Sequence, residues 1–164
     1  MTESQRERLL GRKLPPRPFL LRTEYTDEAD EALAELDAAR ESLRIARRNE
    51  WDLGEYKARV EAAAAAYERY ALRLLVHVIP PEEFEQLEVE HPPADVDTER
   101  GYRWNIATYM PALLEACVEG DMTAQDWAEV RTRGGAVAAG EINALFNLCL
   151  EANDRTLDVH LGKG

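Results

Sequence analysis

Apolar and polar positions along this chain follow a helical period over most of its length. Between Asp27 and about Arg48, Ala29, Ala32, Leu33, Leu36, Ala39, Leu43 and Ala46 recur at steps of three and four, while Glu31, Glu35, Asp37, Arg40, Glu41, Arg44 and Arg47 fill much of the rest. That spacing predicts an amphipathic helix, with Thr26 or Asp27 placed to cap it. Asn49 to Asp52 interrupts the pattern, and Asp52 with Glu55 predicts an acidic variant of the capping box, opening a second helix near Leu53. The seam of that helix, Tyr56, Val60, Ala63, Tyr67, Tyr70 and Leu74, alternates steps of four and three as a coiled-coil stripe does. The two helices are expected to pair as an antiparallel hairpin.

Strand character flanks the hairpin. Phe19 to Tyr25 is short and apolar, and Leu72 to Ile79 is β-branched enough for a strand that puts Leu74, Val76 and Val78 on one face. A lone strand would leave its backbone groups unpaired, so the two segments are expected to pair with each other. Pro80 and Pro81 end the second one.

Beyond them the signals are punctuation. Pro81 to Glu90 reads as a short acidic helix with Phe84 and Leu87 inward, stopped by His91-Pro92-Pro93 and followed by a polar loop from Ala94 to Gly101. Pro111 predicts the first turn of a helix running to about Val118, because its missing N–H is harmless there, and Gly120 closes that helix. Thr123 and Asp126 predict a capping box opening a helix with Trp127 and Val130, ended by Gly134 and Gly135. The last helix begins near Gly140, puts Ile142, Leu145, Phe146, Cys149 and Leu150 on one stripe, and ends at Asn153 and Asp154. Before the hairpin, Pro15, Pro16 and Pro18 forbid a helix beyond Leu14. The expected fold is therefore mainly α, an N-terminal helical hairpin plus a small C-terminal helical bundle, with a short two-stranded β ladder. Its stretches are a basic flexible arm at 1–18, the hairpin with its strands at 19–79, a helical region at 80–154 and a flexible tail at 155–164.

Composition narrows the function. The 164 residues carry a net charge of −12, yet the first 22 hold Arg6, Arg8, Arg12, Lys13, Arg17 and Arg22 against Glu3 and Glu7. An arm of +4 on a body of −16 argues against a nucleic-acid binder, whose phosphate contacts need clustered Lys and Arg on the folded surface. Leu74 to Ile79, the longest apolar run, is broken by His77 and is far shorter than the roughly 20 residues of a membrane helix. No membrane partner is expected, and Leu9 and Leu10, followed by Gly11, Arg12 and Lys13, do not form a signal-peptide core. Cys117 and Cys149 lack zinc or redox spacing and read as buried thiols of a reducing cytoplasm.

Candidate chemistry is sparse. His77, His91 and His160 fall on a strand, a Pro-Pro turn and the tail, and His91 is best placed to meet the orphan carbonyls at the end of its helix. The carboxylate pairs Glu82-Glu83 and Glu88/Glu90 read as a solvated face, and Arg133-Gly134-Gly135 lacks the flanking spacing of a phosphate loop. The expectation is a non-enzymatic binder without cofactor or metal. Trp104, Tyr109, Met110 and Trp127 are the residue types that binding hot spots favour. For Trp127 core packing is the better reading; Trp104, in a loop, is the better contact. The candidate partner contacts are these four with Leu113, Leu114, Ile142, Leu145 and Phe146.

The order PPEEFEQLEVEHPP, YRWNIATYMPALLEACV, MTAQDWAEV and GEINALFNLCLEAN resembles that of the tail assembly chaperones encoded by long-tailed phages of actinobacteria. The likeness covers Pro80 to Asn153, and the chain departs from it in its Ala-rich hairpin, in Tyr109-Met110 where a Phe-Pro pair is more usual, and in Arg133-Gly134-Gly135-Ala136. It implies a protein of the host bacterial cytoplasm that binds the tape measure protein, keeps that protein's long apolar helices soluble, helps recruit tail tube subunits, and is absent from the finished virion; self-association is a candidate besides, which the resemblance does not imply. The family is often made in two lengths by programmed frameshifting, and Leu161-Gly162-Lys163 can be encoded as CUG-GGA-AAG, which contains the slippery heptamer GGGAAAG. Two other readings compete: a small phage structural or adaptor protein retained in the particle, and an acidic inhibitor of a host enzyme.

Overall fold

The computed structural model describes residues 3–154, and the 155–164 tail, with His160 and Leu161-Gly162-Lys163, lies outside the described residues. Among the described residues the protein is mainly helical, with eight α-helices and one two-stranded antiparallel sheet. In chain order these are α1 (Gln5–Leu10), β1 (Arg17–Arg22), α2 (Asp27–Arg48), α3 (Gly54–Tyr67), β2 (Ala71–Val76), α4 (Pro81–Glu90), α5 (Asp95–Glu99), α6 (Ile106–Cys117), α7 (Ala124–Thr132) and α8 (Ala139–Asp154). A single 3-10 turn, Glu68–Tyr70, joins α3 to β2. The chain divides into two compact units, Leu20–Leu74 and a second built from residues 1–19 with Leu75–Gly164. It passes between them along β1 and again along β2.

The Leu20–Leu74 unit is the expected helical hairpin. Thr26 caps α2 by accepting from the Ala29 N–H at 3.2 Å, and the apolar stripe buries Ala29, Leu36, Ala39, Leu43 and Ala46. Leu36 and Ala39 pack against Ala63 and Tyr67 of α3, with Leu20, Leu33 and Val60 closing around them. Small residues at the seam let the helices approach closely, and Arg59 ties them from outside, donating to both carboxylate oxygens of Glu35 at 2.8 and 3.1 Å and to Ser42 at 3.2 Å. That pairing holds the Glu35 carboxyl below its ordinary range, through the hydrogen bond from Arg59. The turn between the helices is a Schellman motif: Glu50 takes a positive φ of 57°, its N–H reaches the Arg47 carbonyl at 3.2 Å, and the Trp51 N–H reaches Ala46 at 3.0 Å. The capping box expected from Asp52 and Glu55 does not form. Leu53 occupies the cap position, and the Asp52 carboxylate instead accepts from the nearby Gly54 N–H at 3.1 Å.

In the second unit, α6 is the central element and packs against α4, α7 and α8. It starts five residues before the turn that Pro111 predicts, so the proline lies inside the helix and removes the bond that the Ala107 carbonyl would have received. The earlier start has a cap the sequence pattern does not announce. Asp97, buried at 5% exposure, accepts from the Ala94 N–H with one oxygen at 2.9 Å and from the Ile106 N–H with the other at 3.3 Å. One carboxylate thereby serves the first turns of two helices. The stretch expected as a polar loop from Ala94 to Gly101 is in fact α5, ended by a Schellman motif in which Gly101 has φ 81° and the Tyr102 N–H reaches back to the Asp97 carbonyl at 2.8 Å.

His91 is the C-cap of α4, its backbone N–H reaching the Glu88 carbonyl at 3.4 Å, but its imidazole turns away from the carbonyls of that helix. Its Nδ1 faces the Thr108 hydroxyl at 2.8 Å, and its carbonyl accepts from the Asn105 N–H at 2.9 Å, which stitches the His-Pro-Pro turn to the start of α6. After α6 the chain turns extended, where Val118 bridges Val76 and the Glu119 N–H donates to Leu75 at 2.9 Å, while the His77 N–H donates to Cys117 at 2.8 Å. Thr123 and Asp126 form the expected capping box at the head of α7, with bonds of 2.9 and 3.1 Å, and α8 buries Ile142, Leu145, Phe146 and Cys149 of the expected stripe, with Ala152 buried in addition and Leu150 half-buried.

Candidate partner-binding site

The four motifs of the C-terminal region fall one to a helix, on α4, α6, α7 and α8. All nine candidate contacts lie inside the unit these helices build. Tyr109, Leu113 and Leu114 have no exposed surface, and Met110, Trp127, Ile142, Leu145 and Phe146 are buried. Trp104 is buried as well, at 9% exposure, which corrects the expectation that a loop position leaves it to a partner. Its ring stacks on Tyr109 with centroids 4.7 Å apart, and Phe146 stands edge-on to both, at 6.1 Å from Trp104 and 5.9 Å from Tyr109. The Arg103 guanidinium lies 5.0 Å from the Trp104 ring centre and 3.9 Å from Glu88. The aromatic residues thus bind one another, and their rings join the Trp104 loop, α6 and the distant α8.

The core carries two polar atoms without a match. The Tyr109 hydroxyl and the Trp127 indole N–H are buried without a hydrogen-bond partner among the described residues. Burial, and after it the Glu88 carboxylate, pushes the Tyr109 hydroxyl well above the ordinary phenol range, so it remains neutral. An unpaired buried hydroxyl costs more than it contributes. Tyr109→Phe is therefore expected to leave the fold intact and to stabilise this unit by about 1 kcal/mol. Thermal unfolding of the two proteins side by side checks this, and a lower melting temperature for the phenylalanine variant would show that the hydroxyl has a partner in solution.

Next to this cluster the helix ends are pinned by Asn153. Its side-chain oxygen accepts from the Ile79 N–H at 2.8 Å, while its amide donates to the Cys149 carbonyl at 2.9 Å and to the Cys117 sulfur at 3.4 Å. Both cysteines are free and buried. The hydrogen bond with Cys117 and then burial push the Cys149 thiol up, which keeps it protonated. The same bond from Cys149, and after it the one from the Asn153 amide, hold the Cys117 thiol below its ordinary value, yet both sulfurs are buried, whereas an activated nucleophile needs an accessible, electropositive setting.

Besides Leu9 and Leu10 of the leading segment, the apolar side chains that this unit presents lie before Trp104. Val89 at the end of α4, Val96 in α5 and Tyr102 after it are 73%, 51% and 41% exposed, all within the stretch that leads from α4 to Trp104. Sequence reasoning passed over them because each is a single apolar residue among polar ones, off any stripe. That isolation is itself the available signal, since an acidic helix face has no folding reason to carry valine. A groove of about 290 Å³ nearby is lined by Phe84, Glu85, Glu88, Arg103 and Asn153. Among the described residues, no set of three or more His, Cys, Asp and Glu side chains could hold a metal ion, and no helix is long and apolar enough to cross a membrane. Comparison of the chain with protein-family models, with curated proteins and with solved structures finds no match.

Proposed function

We propose that this protein is a tail assembly chaperone of a long-tailed actinobacterial phage, acting in the host cytoplasm. In this reading it binds the tape measure protein, keeps its apolar helices from aggregating, helps bring tail tube subunits to it, and leaves before the virion is complete. The observation that carries the reading is the order of the four C-terminal motifs, supported by their falling on four helices of one compact unit. The physical role suits the surface. A body of net charge −16 keeps a complex with an apolar client dispersed, and Val89, Val96 and Tyr102 offer apolar footholds for a client helix packed by its hydrophobic face.

Co-expression tests it. The tape measure protein encoded downstream is expected to be several-fold more soluble with this chain than without it. A triple variant, Val89→Ser, Val96→Ser and Tyr102→Ser, should keep its helical content and lose most of that effect. An unchanged soluble fraction with the wild-type chain would remove the proposal, and detection of the chain in purified virions by mass spectrometry would favour a retained structural protein instead.

A further inference from the structure

Two shallow grooves, open to solvent and each lying along a single helix, carry opposite charge. One, of about 650 Å³, runs along α1 and is lined by Arg8, Leu9, Gly11 and Arg12 with Glu3 and Gln5. The other, of about 570 Å³, runs along α4 and is lined by Pro80, Glu82, Glu83, Gln86, Leu87 and Glu90. We propose that α1 of one molecule docks in the α4 groove of a second copy of this chain.

The case begins with α1 itself. Ser4 and Glu7 close a complete capping box around its first turn, at 2.8 and 3.1 Å, so the segment is built to be helical. Yet it has six residues, far fewer than the roughly 12–15 that hold a helix in water alone. It buries none of them, and Leu9 and Leu10 are 66% and 69% exposed. Arg6, Arg8, Arg12 and Lys13 form no ion pair among the described residues. A capped helix with two bare leucines and four unpaired cations lacks the surface that would stabilise it.

That surface is present on every copy of the chain. On α4, Glu82, Glu83 and Glu90 form no ion pair among the described residues, and only Glu88 is near a cation, Arg103 at 3.9 Å. Glu82 and Glu83 favour the positive end of the helix dipole, but Glu90 sits at the negative end, where its carboxylate accepts from the neutral Gln86 amide at 3.1 Å and faces no cation. Leu87 and Pro80 line the groove, giving Leu9 and Leu10 apolar ground among the carboxylates. The single-chain fold leaves both grooves open, so an intermolecular exchange is what satisfies them.

The test needs only the purified chain and so stands apart from the tape measure proposal. Sedimentation equilibrium of the full chain should show association at low salt, with Kd weakened roughly tenfold or more at high salt. Deleting residues 1–13 should leave a monomer. An arm-reversed variant (Arg6→Glu, Arg8→Glu, Arg12→Glu) and a helix-reversed variant (Glu82→Arg, Glu83→Arg, Glu90→Arg) should each be monomeric alone and associate when mixed, with circular dichroism confirming that both fold. A chain that is monomeric at every concentration, association that survives loss of residues 1–13, or a mixture that fails to associate would each overturn the proposal.

Discussion

Replacing Trp104 with alanine is expected to destabilise the C-terminal unit by about 3–5 kcal/mol, the range for deleting a buried large aromatic. The ring is 9% exposed, stacks on Tyr109, meets Phe146 edge-on and lies under the Arg103 guanidinium. Removing it leaves a cavity against two rings that helices α6 and α8 hold in place, and the Tyr109 hydroxyl loses part of its cover without gaining a designed partner. A loss of that size is a large fraction of the roughly 5–15 kcal/mol that holds a domain folded. Urea unfolding followed by circular dichroism reads it directly. The result also separates two roles, because a surface contact residue would change stability by less than about 0.5 kcal/mol. A stability close to wild type would return Trp104 to the partner contacts.

Asp97→Ala is the second change with a large expected effect, about 3 kcal/mol. The carboxylate accepts from Ala94 and Ile106, and both N–H groups begin helices. Alanine leaves them without a partner, and the Ile106 N–H lies where water does not easily reach, since Ile106 is 8% exposed. Asp97→Asn keeps an oxygen for one bond and should recover about half of the loss. Hydrogen exchange locates the damage: the amides of α5 and the first turn of α6 should exchange faster than those of α8. Equal acceleration throughout the unit, or no change, would contradict a local capping role.

The contrast between these two residues explains which features were readable beforehand. The stripes of α2 and α8, the Thr26 cap and the Thr123–Asp126 box depend on neighbours three or four positions apart, and the structure has them as expected. The pairing of β1 with β2 was legible for another reason, one apolar segment needing the other to satisfy its backbone. Asp97 is different, because its second partner is nine residues away and the need for it arises from a helix start that Pro111 disguised. Trp104 is different again: its burial comes from Tyr109 and from Phe146 on a distant helix, which no window around the loop contains. The candidate contacts share that origin. Large apolar residues at helical spacing mark the core of this unit, while Val89, Val96 and Tyr102, which face solvent, had no periodicity to draw attention.

The division of the chain into units carries a consequence for synthesis. The hairpin unit is one continuous stretch, Leu20–Leu74, whereas the other needs residues 1–19 together with everything after Leu75. A ribosome therefore releases all of the first unit while its companion consists of the leading segment alone. The hairpin, two helices joined by a short turn within one continuous stretch, is expected to close first. The basic leading segment then waits while α4 to α8 are still being made, with its leucines and arginines uncovered throughout, so order of emergence as well as affinity governs what it meets first.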